Sequence, residues 1–369
     1  MAAIAGVLVA ITLPPSKVHG DTQAKLKAID YWGVLFSSAA ILLLLIPISG
    51  GGTYFSWSSP MVISMITLGS ICMLLFVVVE WKFAKMPMMP LHLFTNPAVC
   101  AILMQNFLYG IVYYSHLYYL PIYYQNVRGY SPLLSAALIV PMVVAQSLFS
   151  IESGQYVSRT KRYGEIIWSG YALWFLGSGL MLLLTRTTPK WHIIVFIIIE
   201  GMGVGHVFQP TLVAAQAHSR KSDRAVVISV RNFLRALGGA LGLALSSAIF
   251  SNVLKGSLNS LSDPLPESVK QGILAAILRV PDLQALTESE KTGVLDSYMD
   301  ASHAVFILWV PIMGVCLLLC FFIKDKGLTR KEEKPVIVQE RSTIEMDRDN
   351  EISGESDVEM QREGVDEKK

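Results

Sequence analysis

Eight stretches of this chain are apolar on every face for about 20 residues, the length an α-helix needs to cross a bilayer's hydrocarbon core. They fall near 32–49, 61–81, 98–120, 132–153, 165–185, 192–214, 225–250 and 302–323. A ninth apolar run, 1–13, is too short to cross and reads as the end of a helix whose beginning is missing. The pattern predicts an all-α polytopic membrane protein of eight spans and a stub.

The short loops between these spans alternate in charge, as the positive-inside asymmetry requires. One set carries Lys17, Lys25, Lys27, Lys82, Lys85, Arg159, Lys161, Arg162, Arg220, Lys221, Arg224, Lys324, Lys326, Arg330 and Lys331. The other set has GGGTYFSWSSP without charge, then Arg128 alone, then Arg186 with Lys190. The basic set is therefore assigned to the cytoplasm. The long segment 251–301 falls on the outer side, where VKQGILAAIL and LQALTESEKTGVL predict two short surface helices. Plasma and vacuolar membranes satisfy this pattern alike.

Composition agrees, with 53% hydrophobic and 16% charged residues and a mean hydropathy of +0.49. The net charge of +2 conceals a split, because residues 324–369 hold 14 of the 28 acidic and 10 of the 30 basic groups. Such a segment, nearly without aromatics, predicts a disordered and charged cytoplasmic tail. Ser342, Ser353 and Ser356 offer it modification sites, although a solubilising role is the simpler reading. No basic patch is interleaved with aromatics, so no nucleic-acid partner is expected. Cys316 and Cys320 share a helix face at i, i+4. Soft metal ligation is one reading of that pair. Small core residues are the simpler one, and neither metal nor cofactor is expected.

Polar groups inside apolar spans are costly in hydrocarbon, and each is a functional candidate. Span 98–120 carries Gln105, Asn106 and His116, span 192–214 carries Glu200, His206 and Gln209, and span 225–250 carries Arg231, Asn232 and Arg235. Glu200 lies a third to halfway across and reads as a protonatable coupling group or the partner of an arginine on a neighbouring helix. A hydrogen bond that only fixes packing is the structural alternative. Arg231 and Arg235, one turn apart, either snorkel to the cytoplasmic interface or act in gating or substrate binding. His116 reads as a hydrogen-bonded residue near the outer interface.

Gly201 with Gly205, and Gly238 with Gly242, stand four apart and predict close helix–helix approach. Prolines 47, 121, 141, 210 and 311 predict kinks or breaks. The run YYSHLYYLPIYYQNVRGYS reads as an interfacial aromatic belt or as an aromatic wall for planar or cationic molecules, with Tyr109 and Tyr113 the deeper binding candidates. No nucleophile–base–acid set, HExxH or Walker A sequence occurs, so the chain is not expected to be an enzyme.

Several stretches resemble the fungal 14-helix drug:proton antiporters of the major facilitator superfamily. These are DYWGVLFSSAAILLLLIPISGGGTYFSWSSP, EWKFAKMPMMPLHLF, LPIYYQNVRGYSPLLSAALIVP, GMGVGHVFQPTLVAAQA and RNFLRALGGALGLALSSA. GQYVSRTKRYGEIIWSG holds a degenerate form of the superfamily's loop motif. Gly154, Arg159 and Arg162 match it, whereas Ser158 and Lys161 stand where Asp and Gly are usual. The resemblance implies a major facilitator fold with a central helix pair over 31–97 and a C-terminal six-helix bundle over 98–323. Residues 1–30 would be the remnant of a sixth helix with its loop, and 324–369 the tail. It also implies a secondary transporter, expected to be incomplete as it stands, that exports organic compounds or drugs against a proton gradient. Its partners would be the lipid bilayer, protons and a small organic substrate. Gln105, Asn106, Tyr109, Tyr113, Glu200, His206, Arg231, Asn232 and Arg235 are its candidate substrate or coupling residues. An inactive fragment, or a receptor or scaffold acting through the tail, are the alternatives.

Overall fold

A computed structural model describes residues 30–51, 55–83, 89–261, 265–275, 277, 286–325 and 327. The stub over 1–13 and the tail beyond 327 lie outside the described residues, as does part of the outer segment.

Among the described residues the chain forms ten α-helices. They are α1 Tyr31–Gly50, α2 Pro60–Lys82, α3 Pro97–Ile122, α4 Pro132–Thr160, α5 Gly164–Met181, α6 Lys190–Phe208, α7 Pro210–Ala217, α8 Arg224–Asn259, α9 Glu267–Ala275 and α10 Glu288–Leu319. Three of them begin with a capping residue followed by proline. Ser59, Asn96 and Ser131 accept from the N–H of Val62, Ala98 and Leu134 at 3.2, 3.1 and 3.3 Å. The proline beside each cap sits where a helix has no use for an N–H.

Seven of these helical stretches are long and apolar enough to cross a membrane, which makes the chain a multi-pass membrane protein. Helix α5, the eighth expected span, is shorter and richer in Gly, Ser and Trp, and it packs against α6 and α10. Apolar side chains such as Leu133, Leu148, Ile151, Leu183, Ile307 and Leu318 stand exposed on the bundle's outer faces. Lipid, not water, is the solvent that suits them.

The span expected at 192–214 is present over Lys190–Ala217, and it breaks at Gln209 as Pro210 predicts, because that residue cannot donate to the preceding turn. One expectation is corrected. Helix α8 runs on to Asn259 and the first expected surface helix is present as α9, but the second is not separate, because ESEKTGVL forms the first turns of α10. A capping box starts α10, with Thr287 Oγ1 accepting from Glu290 N at 3.3 Å and Glu290 Oε2 accepting from Thr287 N at 2.8 Å. Val294, Tyr298 and Ala301 are then fully buried, which hydropathy alone does not reveal.

The loops sort into two opposite sets. On one side Asn96 Nδ2 donates to His218 O at 3.0 Å, and His218 Nε2 lies 3.0 Å from Lys324 O. On the other, Arg128 donates to the carbonyls of Thr185 and Thr188 at 3.2 and 2.7 Å, and Arg186 pairs with Asp296 at 2.8 Å. These are the two groups that charge alternation separated. Among the first set, Asp325 Oδ2 accepts from the backbone N–H of Tyr163 and Gly164 at 3.0 and 2.9 Å, so the segment after α10 caps α5. Asp325→Ala is expected to lower stability by about 1 kcal/mol, with Asp325→Asn keeping most of it. Thermal unfolding in detergent measures both.

Candidate functional site

The helices meet in a crossed pattern. Helix α3 packs chiefly on α8, and α4 on α6. Glycines make both contacts close. A Cβ on Gly238 or Gly242 would overlap the carbonyl of Phe107 or Ile111 on α3, and one on Gly201 or Gly205 would overlap the carbonyl of Met142 or Gln146 on α4. Both expected glycine pairs therefore serve helix approach, each on a different partner.

Between these contacts lies a fully buried carboxyl group. Glu200 of α6 is not exposed at all, and its Oε1 accepts from Trp174 Nε1 of α5 at 2.9 Å. The ionisable group beside it is not an arginine. His116 of α3, also fully buried, places Nε2 2.8 Å from the same Oε1. Neither ring nitrogen of His116 makes a hydrogen bond of good geometry among the described residues, nor does Glu200 Oε2, so the 2.8 Å approach is a close contact of the pair and not a formed hydrogen bond. The imidazole stacks on Trp309 of α10, with centroids 3.6 Å apart and planes at 33°. Trp309 Nε1 donates to Ser115 Oγ at 2.9 Å, and Ser115 Oγ lies 2.6 Å from Ser246 Oγ of α8. Two hydrogen-bonded groups, Trp174–Glu200 on α5 and α6 and Trp309–Ser115–Ser246 on α10, α3 and α8, thus meet at the His116 ring, which approaches the first and packs on the second.

The interfacial reading of His116 is corrected here. Helix α3 continues through a π-turn at Tyr123–Val127, which leaves His116 about 16 Å below the helix end at 1.5 Å per residue. The aromatic belt is corrected in part, because Tyr119, Tyr123 and Tyr124 are core residues while Tyr114 and Tyr118 remain exposed.

A second polar group lies around α8. Arg231 is buried, and its guanidinium donates to Phe208 O at 2.7 Å and Thr211 Oγ1 at 3.0 Å. It thereby fills the break between α6 and α7, a positive group set against free carbonyls at a helix C-terminus. It does not snorkel. Arg235, one turn on, is half-buried over the rings of Phe208 and Tyr109, 4.8 and 5.9 Å from their centroids. Among the described residues its one hydrogen bond is a long one of 3.4 Å to Asn232 Oδ1, and its Nη1 is buried without a partner. Neither arginine pairs with a carboxylate among the described residues. Tyr109 also packs edge-on against Trp174 and lies 5.3 Å from Tyr113, whose hydroxyl donates to Gln146 Oε1 at 3.2 Å. Tyr113, Gln146, Phe208 and Arg235 are half-open and Asn232 is exposed, so this group forms a polar and aromatic face on α3, α4, α6 and α8.

The remaining candidates stand apart from that face. Gln105 is fully buried and donates to Cys316 O of α10 at 2.8 Å and to Cys320 Sγ just after it at 3.2 Å, and Asn106 donates to Ile102 O of its own helix at 2.8 Å. His206 pairs with Glu152 of α4 at 2.8 Å, nearer the basic-loop side. Of the loop motif, Gly154 borders open space, Arg159 is exposed in the last turn of α4, and Arg162 pairs with Glu165 at 2.9 Å. His116, Trp174 and Trp309 escaped the sequence reading as a unit. Tryptophan in an apolar span carries no signal until its N–H is seen to have a buried acceptor.

A multi-pass bundle with buried charges and a half-open polar face has the form of a membrane carrier. The chain belongs to the Major Facilitator Superfamily, whose family model matches residues 1–243. It is 45% identical over 354 residues to Citrate exporter 1 of Yarrowia lipolytica, covering 96% of this chain and 52% of that protein. It is 34% identical over 324 residues to the MFS-type transporter clz4 of Cochliobolus lunatus, covering 88% and 56%. It is 29% identical over 306 residues to the efflux pump dotC of Dothistroma septosporum, covering 83% and 53%. The chain spans about half the length of these curated relatives. The family is one of fungal transporters and efflux pumps, not of enzymes.

Proposed function

We propose that this chain supplies one bundle of a secondary transporter that exports small organic compounds and that moves protons through the Glu200–His116 pair. The names of its relatives, an exporter and an efflux pump among them, support the direction and the class of cargo. The buried pair carries the coupling reading. Holding one proton, the carboxylate and imidazole together are neutral; without it, a negative charge remains in a membrane interior. Such a group favours different helix arrangements in its two states, because hydrocarbon penalises the charged one. The pair bonds to Trp174 through Glu200 and packs on Trp309 through the His116 ring, so a change at it acts directly on α3, α5, α6 and α10.

In this reading α3, α4 and α5 form one three-span unit of a C-terminal bundle, and α6 with α7, α8 and α10 form the other, with α1 and α2 an added pair. The crossed packing of α3 on α8 and α4 on α6 is the exchange that an inverted repeat would give. The basic loops and the tail lie in the cytoplasm, by charge asymmetry.

Proteoliposomes loaded with labelled citrate and given an imposed pH gradient test the coupling. Glu200→Gln is expected to leave the protein folded and to remove the gradient's acceleration of efflux. Efflux that still follows the gradient in this variant would leave Glu200 a packing residue and end the coupling reading.

A further inference from the structure

We infer that Arg235 is an anion-binding residue, and that the cargo facing α8 is an organic carboxylate. This rests on the transport reading for the word cargo, but the site itself rests on geometry. A guanidinium has five N–H donors and no way to shed its charge. Arg231 also has a buried Nε without a partner among the described residues, but its Nη2 donates to Phe208 O and Thr211 Oγ1, and the helix break explains its place. Arg235 has no such explanation. It offers one long bond to Asn232, leaves Nη1 buried and unpartnered, and meets no carboxylate among the described residues.

The surroundings hold that charge in place instead of releasing it to water. The ring faces of Phe208 and Tyr109 lie beside the guanidinium, and cation–ring contact favours a fixed, desolvated cation. The backbone is fixed too. A Cβ on Gly110 of α3 would overlap Arg235 O, so α8 is pinned against α3 at this residue. Arg235 also lies about 16 Å along α8 from its first residue at 1.5 Å per residue, far from the nearer interface for a side chain held by rings. A planar cation fixed at this depth and open on one side fits a bidentate carboxylate. Tyr113, Gln146 and Asn232, on the same half-open face, supply hydroxyl and amide groups for further oxygens of the ligand. The class this describes is a small hydroxy- or polycarboxylate; a neutral or cationic organic molecule would leave Arg235 unpaired.

The phosphate of an anionic lipid shares this chemistry, and the test separates the two sources. Binding of labelled citrate is measured on the whole chain in nanodiscs of phosphatidylcholine alone. Wild type is expected to bind, Arg235→Gln to bind about tenfold more weakly or worse, and Arg235→Lys to fall between them. The uncharged trimethyl ester of citrate should not compete. Each variant's thermal unfolding is followed, and Arg235→Lys keeps the comparison valid if the glutamine variant folds poorly. Equal citrate affinity in wild type and Arg235→Gln overturns the proposal. So does an absence of citrate binding together with stabilisation of wild type, but not of Arg235→Gln, by phosphatidylglycerol; the anion is then a lipid headgroup. Flux separates this proposal from the transport reading. Arg235-dependent binding without citrate movement in proteoliposomes removes the transporter and keeps the site. Citrate movement unaltered in Arg235→Gln does the reverse.

Discussion

Gly238→Ala and Gly110→Ala should each strip the membrane of folded protein, whereas Gly179→Ala and Gly256→Ala should leave its level unchanged. The contrast follows from what a new methyl group meets. On Gly238 it would overlap Phe107 O, and on Gly110 it would overlap Arg235 O. Both obstacles are backbone, which cannot rotate away as a side chain can. On Gly179 and Gly256 the methyl group meets no atom within 4 Å. Overpacking a closed interior costs about 1–3 kcal/mol or more. Here the only relief is separation of α3 from α8, the most extensive helix contact in the bundle. In lipid, association depends on such close packing because no hydrophobic force gathers the helices. Detergent-solubilised yield and fluorescence-detected gel filtration of the four variants decide the matter. A normal monodisperse peak for Gly238→Ala would mean that α3 and α8 sit farther apart than described.

The same contacts show what the sequence could and could not convey. The spans were legible because each must be apolar over a fixed length. Loop sidedness was legible because Lys and Arg obey a rule independent of packing. The glycine spacing indicated close approach but not the partner, since i, i+4 periodicity defines a face and not what covers it. The length of α10 was hidden by its first turns, where Glu288, Glu290 and Lys291 read as part of a separate surface helix although Val294 and Tyr298 on the same helix as the last span are buried. Polar partners were least legible of all. Glu200 invited an arginine because two arginines stood in the next long span. The geometry gives them to the α6–α7 break and to the open face, and it gives Glu200 a histidine 84 positions earlier in the chain, beyond the reach of any local pattern.

That pairing leads to the second large effect. His116→Leu alone should be severely destabilising, and adding Glu200→Gln should recover much of the loss. With the imidazole gone, the carboxyl at Glu200 keeps Trp174 Nε1 as its one donor, with Oε2 already unpartnered. Breaking a buried ionic pair by removing one member costs about 3–5 kcal/mol, more than the pair itself is worth. Glutamine in place of Glu200 still accepts from Trp174 and carries no charge, so the double variant no longer holds an uncompensated carboxylate. A double-mutant cycle on unfolding in detergent should therefore give a coupling of about 1–3 kcal/mol, the range for residues in direct contact. Additive losses would instead mean that His116 acts only through its stacking on Trp309 and that the 2.8 Å approach to Glu200 carries no energy. The cycle also bears on transport without measuring it. A pair worth little to the fold but strongly coupled is free to change its proton, whereas an uncoupled one has no means of passing that change to the neighbouring helices.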